Sequence, residues 1–562
     1  MSGITAIDLT DESGVFASRI LADLGADVIR VEPPDGGAFR LRAPFLGKSP
    51  DIEKSFHHLY HNANKRSLVL DLNEGADGGV MARLVESAHM LLYSGTELPA
   101  GLDESRIRAA NARIILVAIS PYGRTGPYSR RSANDLTAAA AGGLIQVSGR
   151  PDQTPVQAAA DQSYKMAGLI AATGAMLALT GQEVQGMAGG TLDVSLQEAV
   201  MAALIQTSNA NRYLWHGRVP KRPGLGGNVV RCADDRWITI NIRPDRFGEF
   251  LAWVRAEGLE TDLTEADWAQ AGAESRTPAV DSLIRALAAK YDRESYFEKA
   301  WSLGVLGLPV QTFADFASCE HFAFTQQFID VADTGRGVKL SYPRSPVADA
   351  TAVQIRPAPR LGEHSAEIRA QLDKRRTLSE APAPFDPREL LGGIRVLDFT
   401  IALAGPLTTR TFANFGAEVI TVESATRPVN PRVSVRPPGY ADLNLGGIHN
   451  VAGTGKLSIT LDLSQAEALP IVENLVRQSD IIANNFRPGV MDKLGLGYER
   501  VRELKPDAIY LSMPGCASSG PWRDRGTLGP MLAGASGLNA LTGFPDQPPY
   551  GIGVAYPDFV AP

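Results

Sequence analysis

ITAIDLTDESGVFASRILADLGADVIRVEPP at residues 4–34 and IRVLDFTIALAGPLTTRTFANFGAEVITVES at residues 394–424 are two versions of one segment, and their pairing decides the fold. At an offset of 391, Gly14/Gly405, Arg19/Arg410, Ala22/Ala413, Gly25/Gly416, Ala26/Ala417, Val28/Val419, Ile29/Ile420, Val31/Val422 and Glu32/Glu423 are identical. The same offset carries KRSLVLDL (65–72) onto KLSITLDL (456–463) and Leu84-Val85 onto Leu475-Val476. Separate segments that stay in register over so long a stretch mean two copies of one folded unit.

Within copy one, ITAIDL reads as a strand, residues 14–24 as a helix with small residues on one side, and ADVIRVE as a second strand. RSLVLDL, HMLLYS and RIILVAIS add strands, and 75–87 and 103–110 add helices. That alternation predicts an α/β, Rossmann-like parallel sheet with ligands beyond the carboxyl ends of its strands. No GxGxxG follows the first strand, which argues against NAD or FAD. SPYGRTGPYSRR (120–131) is a turn that would carry Arg124 to the sheet edge as a binding loop, or, read alone, a surface turn. Asp161 precedes a long helix of small residues that includes MAGLIAATGAMLALTG (166–181). At the positive end of the helix dipole it would stay ionised and could act as a nucleophile, or it could simply be an N-cap.

The texture changes near residue 225. NVVRCADDRWITINIR (228–243) alternates around an Asp-Asp turn as a hairpin does, and two amphipathic helices follow, so a smaller α+β domain is expected. The boundaries implied are a large domain at 1–224, a small domain at 225–319, a return segment at 320–373, a charged, Pro-rich linker at 374–390, and copy two at 391–562. Copy one takes about 373 residues and copy two 172, so the second large domain is expected to be incomplete and the chain truncated or partial.

Composition narrows the function. The chain has 562 residues, 44% hydrophobic and 21% charged, which suits a multi-domain globular protein. A net charge of −7 offers no electrostatic footprint for nucleic acid. Cys232, Cys319 and Cys516 are scattered and no secretory leader opens the chain, so a cytoplasmic protein is expected. The 166–181 stretch is too short and too rich in Gly, Ala and Thr to span a membrane, so no membrane partner is expected. His57, His58 and His61 have i, i+4 spacing, but no Glu or Cys completes a ligand set, and no metal is expected. The arginines of RPVNPRVSVRPPG (427–439) suit either a diphosphate contact or a solvated loop.

Together, IRVLDFTIALAGPLTTRTFANFGAEVITVE, KLSITLDL, NNFRPGVMDKLGLGY (484–498), YGRTGPY (122–128) and PRLGEHSAEI (359–368) resemble the family III CoA-transferases of CaiB/BaiF type, a group that also includes α-methylacyl-CoA racemases. The resemblance implies an interlocked fold, here as a tandem fusion forming an intramolecular pseudo-dimer, with a homo-oligomer as the further possibility. It implies acyl-CoA and a carboxylic acid as substrates, with coenzyme A not permanently bound. In the family an aspartate attacks the thioester to give an acyl-aspartyl anhydride, which CoA thiolate converts to an aspartyl-CoA thioester before CoA passes to the acceptor. The matching aspartates are Asp161 and Asp558, and the CoA-binding positions are Ala402, Leu403, Leu461, Asn485, Phe486 and Lys493.

Copy two has lost the acid that Asp135 supplies in copy one, carrying Gly529 there, so neither copy is complete by the family's pattern; copy one, however, has Ser94 and Gly95 where copy two keeps Asn485 and Phe486 of the CoA loop. Copy two is therefore expected to carry the working CoA site with Asp558 as nucleophile, copy one being a weaker site or a structural partner. The alternatives are a racemase, whose histidine position is Asn134 in copy one, and a non-catalytic acyl-CoA-binding scaffold.

Overall fold

The computed structural model describes residues 1–72, 75–150, 152–203, 229–267, 278–344, 354–372, 383–425, 432 and 440–562. They group into two compact units, one of Met1–Gly142, Asp161–Met201 and Gln326–Gly392, the other of Gly143–Ala160, Ala202–Thr325 and Gly393–Pro562.

In the first unit, strands β1 (Thr5–Leu9), β2 (Asp27–Glu32), β3 (Arg66–Val69), β4 (Met90–Ser94), β5 (Ile115–Ser120) and β6 (Thr191–Ser195) form a sheet in the order β3-β2-β1-β4-β5-β6. Every pair is parallel, so the sheet can be buried on both faces, and β5 is buried along its whole length. Strand order reverses between β1 and β4, which opens a crevice where the loops leaving those two strands diverge.

Helices α1 (Val15–Asp23) and α3 (Gln162–Gln185) pack on this sheet, and α2 (Asp135–Gly142) packs on α3. The small residues of α3 serve close approach to α1: a Cβ on Gly168 would lie 3.0 Å from the Ala17 nitrogen. The return segment closes the far edge, where the Val69 amide donates to Ser365 Oγ at 3.1 Å. Of the stretch read as linker, residues up to 382 lie outside those described, while Leu390 is 1% exposed and packs on Gly181 of α3. No described helix is long and apolar enough to cross a membrane.

The second unit joins two sheets. Strands β7 (Val229–Arg231), β8 (Trp237–Asn241) and β9 (Leu306–Val310) form the antiparallel sheet expected from the hairpin, with helix α4 (Arg293–Ser302) beside it. Copy two supplies β10 (Arg395–Asp398), β11 (Glu418–Glu423), β12 (Leu457–Thr460), β13 (Ile481–Asn484) and β14 (Ile509–Ser512) in the parallel order β12-β11-β10-β13-β14. Helices α5 (Ala404–Asn414), α6 (Gly529–Ala535) and α7 (Pro557–Val560) complete the elements that matter here. The small sheet and copy two share one core: Trp522 and Met531 are buried with Phe250, Tyr296 and Phe297.

The repeat reaches the buried polar groups. Asp8 accepts hydrogen bonds from Thr10, Ser18, Arg30 and Lys65. Asp398 accepts them from Thr400, Thr409, Thr421 and Lys456. Glu32 pairs with Arg40 and Ser67 as Glu423 pairs with Arg432 and Ser458. Burial alone would raise the Asp8 carboxyl, but Arg30 and Lys65 hold it far below the usual range.

Candidate active site

Each copy places an aspartate beside the crevice of its own sheet, and the two aspartates are held differently. The crevice loop comes first. In copy two the Ile401 amide donates to Asn485 Oδ1 and Asn485 Nδ2 donates to the Ile401 carbonyl, both at 2.7 Å. Asn485, just beyond β13, thus clamps both backbone groups of one residue in the loop after β10. The clamp requires a glycine at 405, since a Cβ there would lie 2.6 Å from Thr400 Cγ2 and 3.0 Å from Asn485 Cγ. Next to it Ala402 is left-handed, with φ 60°, and Leu403 takes the N-cap position of α5 without a side-chain cap.

Copy one repeats the clamp in reduced form. The Asp11 amide donates to Ser94 Oγ at 3.0 Å, and a Cβ on Gly14 would lie 3.0 Å from that oxygen. A single hydroxyl replaces the two-sided amide. Because Asp11 stands at the clamp where Ile401 does, the loop before Gly14 is one residue shorter than that before Gly405. It also carries Asp11 and Glu12 where copy two carries Ile401 and Ala402, so like charge would oppose a polyphosphate there.

Leu461 and Phe486 pack on the copy-two core, and Lys493 is exposed at the end of a short helix, Val490–Lys493. Arg432 is bound to Glu423, while the other arginines of 427–439 lie outside the described residues. Arg124, read either as part of a binding loop or of a surface turn, ties its own loop down: its amide donates to Asp193, Nε to the Thr96 carbonyl and Nη2 to Glu104. His58 contacts the Pro359 carbonyl and Asn62, and His61 contacts the His57 carbonyl. Among the described residues no cluster could hold a metal ion.

Asp161 occupies the N-cap position of α3 but makes no capping bond with its side chain. It and Ala160 both have positive φ, 50° and 65°, a strained pairing for two residues with side chains. Asp135 does the capping instead, accepting from the Ser163 amide at 2.7 Å. The Asp161 carboxylate pairs with Arg42 at 3.0 Å, and Arg42 also holds Glu12 at 2.8 Å. Sequence offered no signal for this partner, which lies 119 residues away.

Asp558 lies in the short helix α7, half-buried, with Gly529 at the start of α6 beside its carboxylate. Burial pushes its carboxyl up to about 6, and the Gly529 amide only partly offsets that. Gly529 also makes the space: a Cβ there would lie 2.6 Å from Asp558 Oδ2 and 2.9 Å from Cγ. Read in sequence as a lost acid, Gly529 is therefore the residue that admits the carboxylate. Helix α7 packs against both α6 and α5, and α5 begins in the clamped loop. Asp558, Ala402, Leu403 and Asn485 are thus gathered by one helix, with Ile401 added to the set. A carboxylate poised near neutrality beside a helix-initiating loop can act as a nucleophile on an electrophile bound in the crevice.

The racemase position that precedes the acid is Asn134 in copy one and Leu528 in copy two, and neither side chain titrates.

Comparison with known proteins agrees with the architecture. The family model described as CoA-transferase family III matches residues 1–365 and 391–562. Probable CoA-transferase Rv1866 of Mycobacterium tuberculosis is 27% identical over 560 residues, covering 95% of this chain and 67% of that protein. Succinyl-CoA:(R)-benzylsuccinate CoA-transferase subunit BbsE of Thauera aromatica is 29% identical over 385 residues, covering 65% of this chain and 93% of that protein. A CAIB/BAIF family protein from Brucella suis has a crystal structure that matches with a TM-score of 0.56 at 25% identity, covering 66% of this chain and 99% of that one.

Proposed function

Given that the chain belongs to CoA-transferase family III and is an enzyme of that class, we propose that it moves CoA from an acyl-CoA donor to a carboxylic acid acceptor at the copy-two site, with Asp558 as the covalent nucleophile. A carboxylate oxygen of Asp558 attacks the thioester carbonyl, the C–S bond breaks and CoA leaves as the thiolate, giving an acyl-aspartyl anhydride. The thiolate then attacks the aspartyl carbonyl and releases the donor acid. The acceptor carboxylate attacks the resulting aspartyl-CoA thioester, and the freed thiolate takes the acceptor acyl group and regenerates Asp558. A carboxylate suits this chemistry because each intermediate is an anhydride or a thioester, so no step falls into a deep well. In this reading the neighbouring Gly529 amide donates to an oxyanion formed at that carbon.

The observation that carries the choice of copy is the contrast between the aspartates. Asp558 is desolvated and, among the described residues, makes no ion pair, which keeps a carboxylate reactive, whereas Asp161 is paired with Arg42. The two-sided Asn485 clamp belongs to the same copy as Asp558, and the acids Asp11 and Glu12 to the other. Ala402, Leu403, Leu461, Asn485, Phe486 and Lys493 form the CoA-facing set in this reading, and copy one is a structural partner within an intramolecular pseudo-dimer.

Transfer assayed with a panel of acyl-CoA donors and free acids tests the reading. D558N should abolish exchange and D161N should retain most of it. Exchange that survives in D558N and disappears in D161N would move the site to copy one.

A further inference from the structure

The loop between β14 and α6 leads directly to Gly529, and it is gripped by the small sheet's helices at one residue above all. Arg525 has a side chain only 9% exposed, and its guanidinium lies 3.9 Å from the ring centre of Trp301 and 4.6 Å from that of Phe297, both on α4. Its Nη2 donates to Glu298 of the same helix at 2.7 Å, while Nε and Nη1 are buried without a hydrogen-bond partner. A guanidinium desolvated to this degree is held by two aromatic faces and one carboxylate, so its place is fixed by α4 rather than by its own loop.

Two connections run from that point to the site. Four residues on, Gly529 lies against the Asp558 carboxylate, and the far end of α6 is tied to the small domain by the Gln311 amide, which donates to the Gly534 carbonyl at 3.1 Å. One residue back, the Asp524 carbonyl accepts from Arg487 Nη1 at 3.3 Å, and Arg487 follows Asn485 and Phe486 in the crevice loop.

Copy one supplies an internal control. Its counterpart of Arg525 in the repeated loop is Arg131, which is exposed and stacks at 4.2 Å on Tyr128, itself 46% exposed. There the aspartate is carried by Arg42 instead.

We infer that Arg525 is a positioning residue for the transfer reaction: by locking the Gly529 loop onto α4 it sets the aim of Asp558 toward the thioester held at the crevice. The inference rests on the reading of Asp558 as nucleophile. Arg525 touches no reacting atom, so its loss should slow acylation without weakening CoA binding, which distinguishes positioning from support of the pocket.

The test uses the full chain with an acyl-CoA that labels the wild-type protein at Asp558. The rate of label appearing on the Asp558 peptide in a single turnover is followed beside the Kd for CoA. R525L should lower the rate at least tenfold with the Kd unchanged within twofold, R525K should recover part of the rate, and E298Q, altered only at an exposed carboxylate, should slow it severalfold. Wild-type rates in both R525L and E298Q would overturn the inference, as would a Kd that rises in step with the loss of rate. Should R525L fail to fold, E298Q decides alone. Absence of label on Asp558 in the wild type would instead refute the underlying reading, before any variant is compared.

Discussion

Replacing Gly529 by alanine should disarm Asp558 while leaving the fold standing. The new methyl carbon would begin 2.6 Å from Asp558 Oδ2 and 2.9 Å from Cγ, with Ala555 Cβ closing the other side at 3.2 Å. Carbon and oxygen atoms at rest need well over 3 Å, so the carboxylate must retreat by roughly 0.5–1 Å. Displacement on that scale costs about 10- to 100-fold in rate when a nucleophile must meet a fixed electrophile. The backbone itself accepts alanine, because Gly529 is not among the residues with positive φ, and lost chain entropy in the unfolded state would favour the variant by about 0.4–1 kcal/mol. Overpacking of about 1–3 kcal/mol opposes this, leaving a modest net change in stability. Single-turnover acylation of Asp558 in G529A, measured beside its thermal midpoint, separates the effects. Wild-type labelling in a folded G529A protein would refute the claim that this glycine makes room for the nucleophile.

The pH dependence has a defined sign. Burial holds the Asp558 carboxyl at about 6, above the value of about 4 for an unfolded chain, so ionisation costs the folded state stability as pH rises from about 4 to 6 and the cost persists above. Acylation should therefore rise through pH 6, and D558N should melt above wild type at pH 8, by about 2 kcal/mol, but level with it at pH 4. Asn485→Ala removes both bonds to Ile401 and should raise the Kd for CoA about tenfold, with N485S, which imitates Ser94, falling between. Lys65→Ala leaves Asp8 buried beside Arg30 alone and should destabilise the first unit by about 3 kcal/mol or more, read as an early thermal transition.

The repeated segment made the architecture legible because a parallel sheet writes itself locally, as apolar strands alternating with helices. The crevice followed from the same text: Gly14 and Gly405 are identical for a steric reason, each lying against the side chain that clamps the preceding loop. What escaped was set by distance in sequence. The pairing of Asp161 with Arg42 joins residues 119 apart and leaves no local trace. The grip of α4 on Arg525 joins residues 227 apart along the bond to Glu298. Nor does periodicity tell that the small antiparallel sheet shares a core with copy two, because that depends on which apolar faces meet. Gly529 is visible in the sequence only as a missing acid. A missing acid reads as a loss until the neighbouring carboxylate is seen in the space it leaves.

The central claim is that the two copies have divided the work, with covalent chemistry in copy two. Its most direct measurement is to incubate the full chain with a panel of acyl-CoAs, trap with hydroxylamine, digest, and locate the hydroxamate by mass. The modification is expected on the peptide holding Asp558 and not on that holding Asp161. A hydroxamate on Asp161 alone, or on neither peptide with every acyl-CoA, would contradict it.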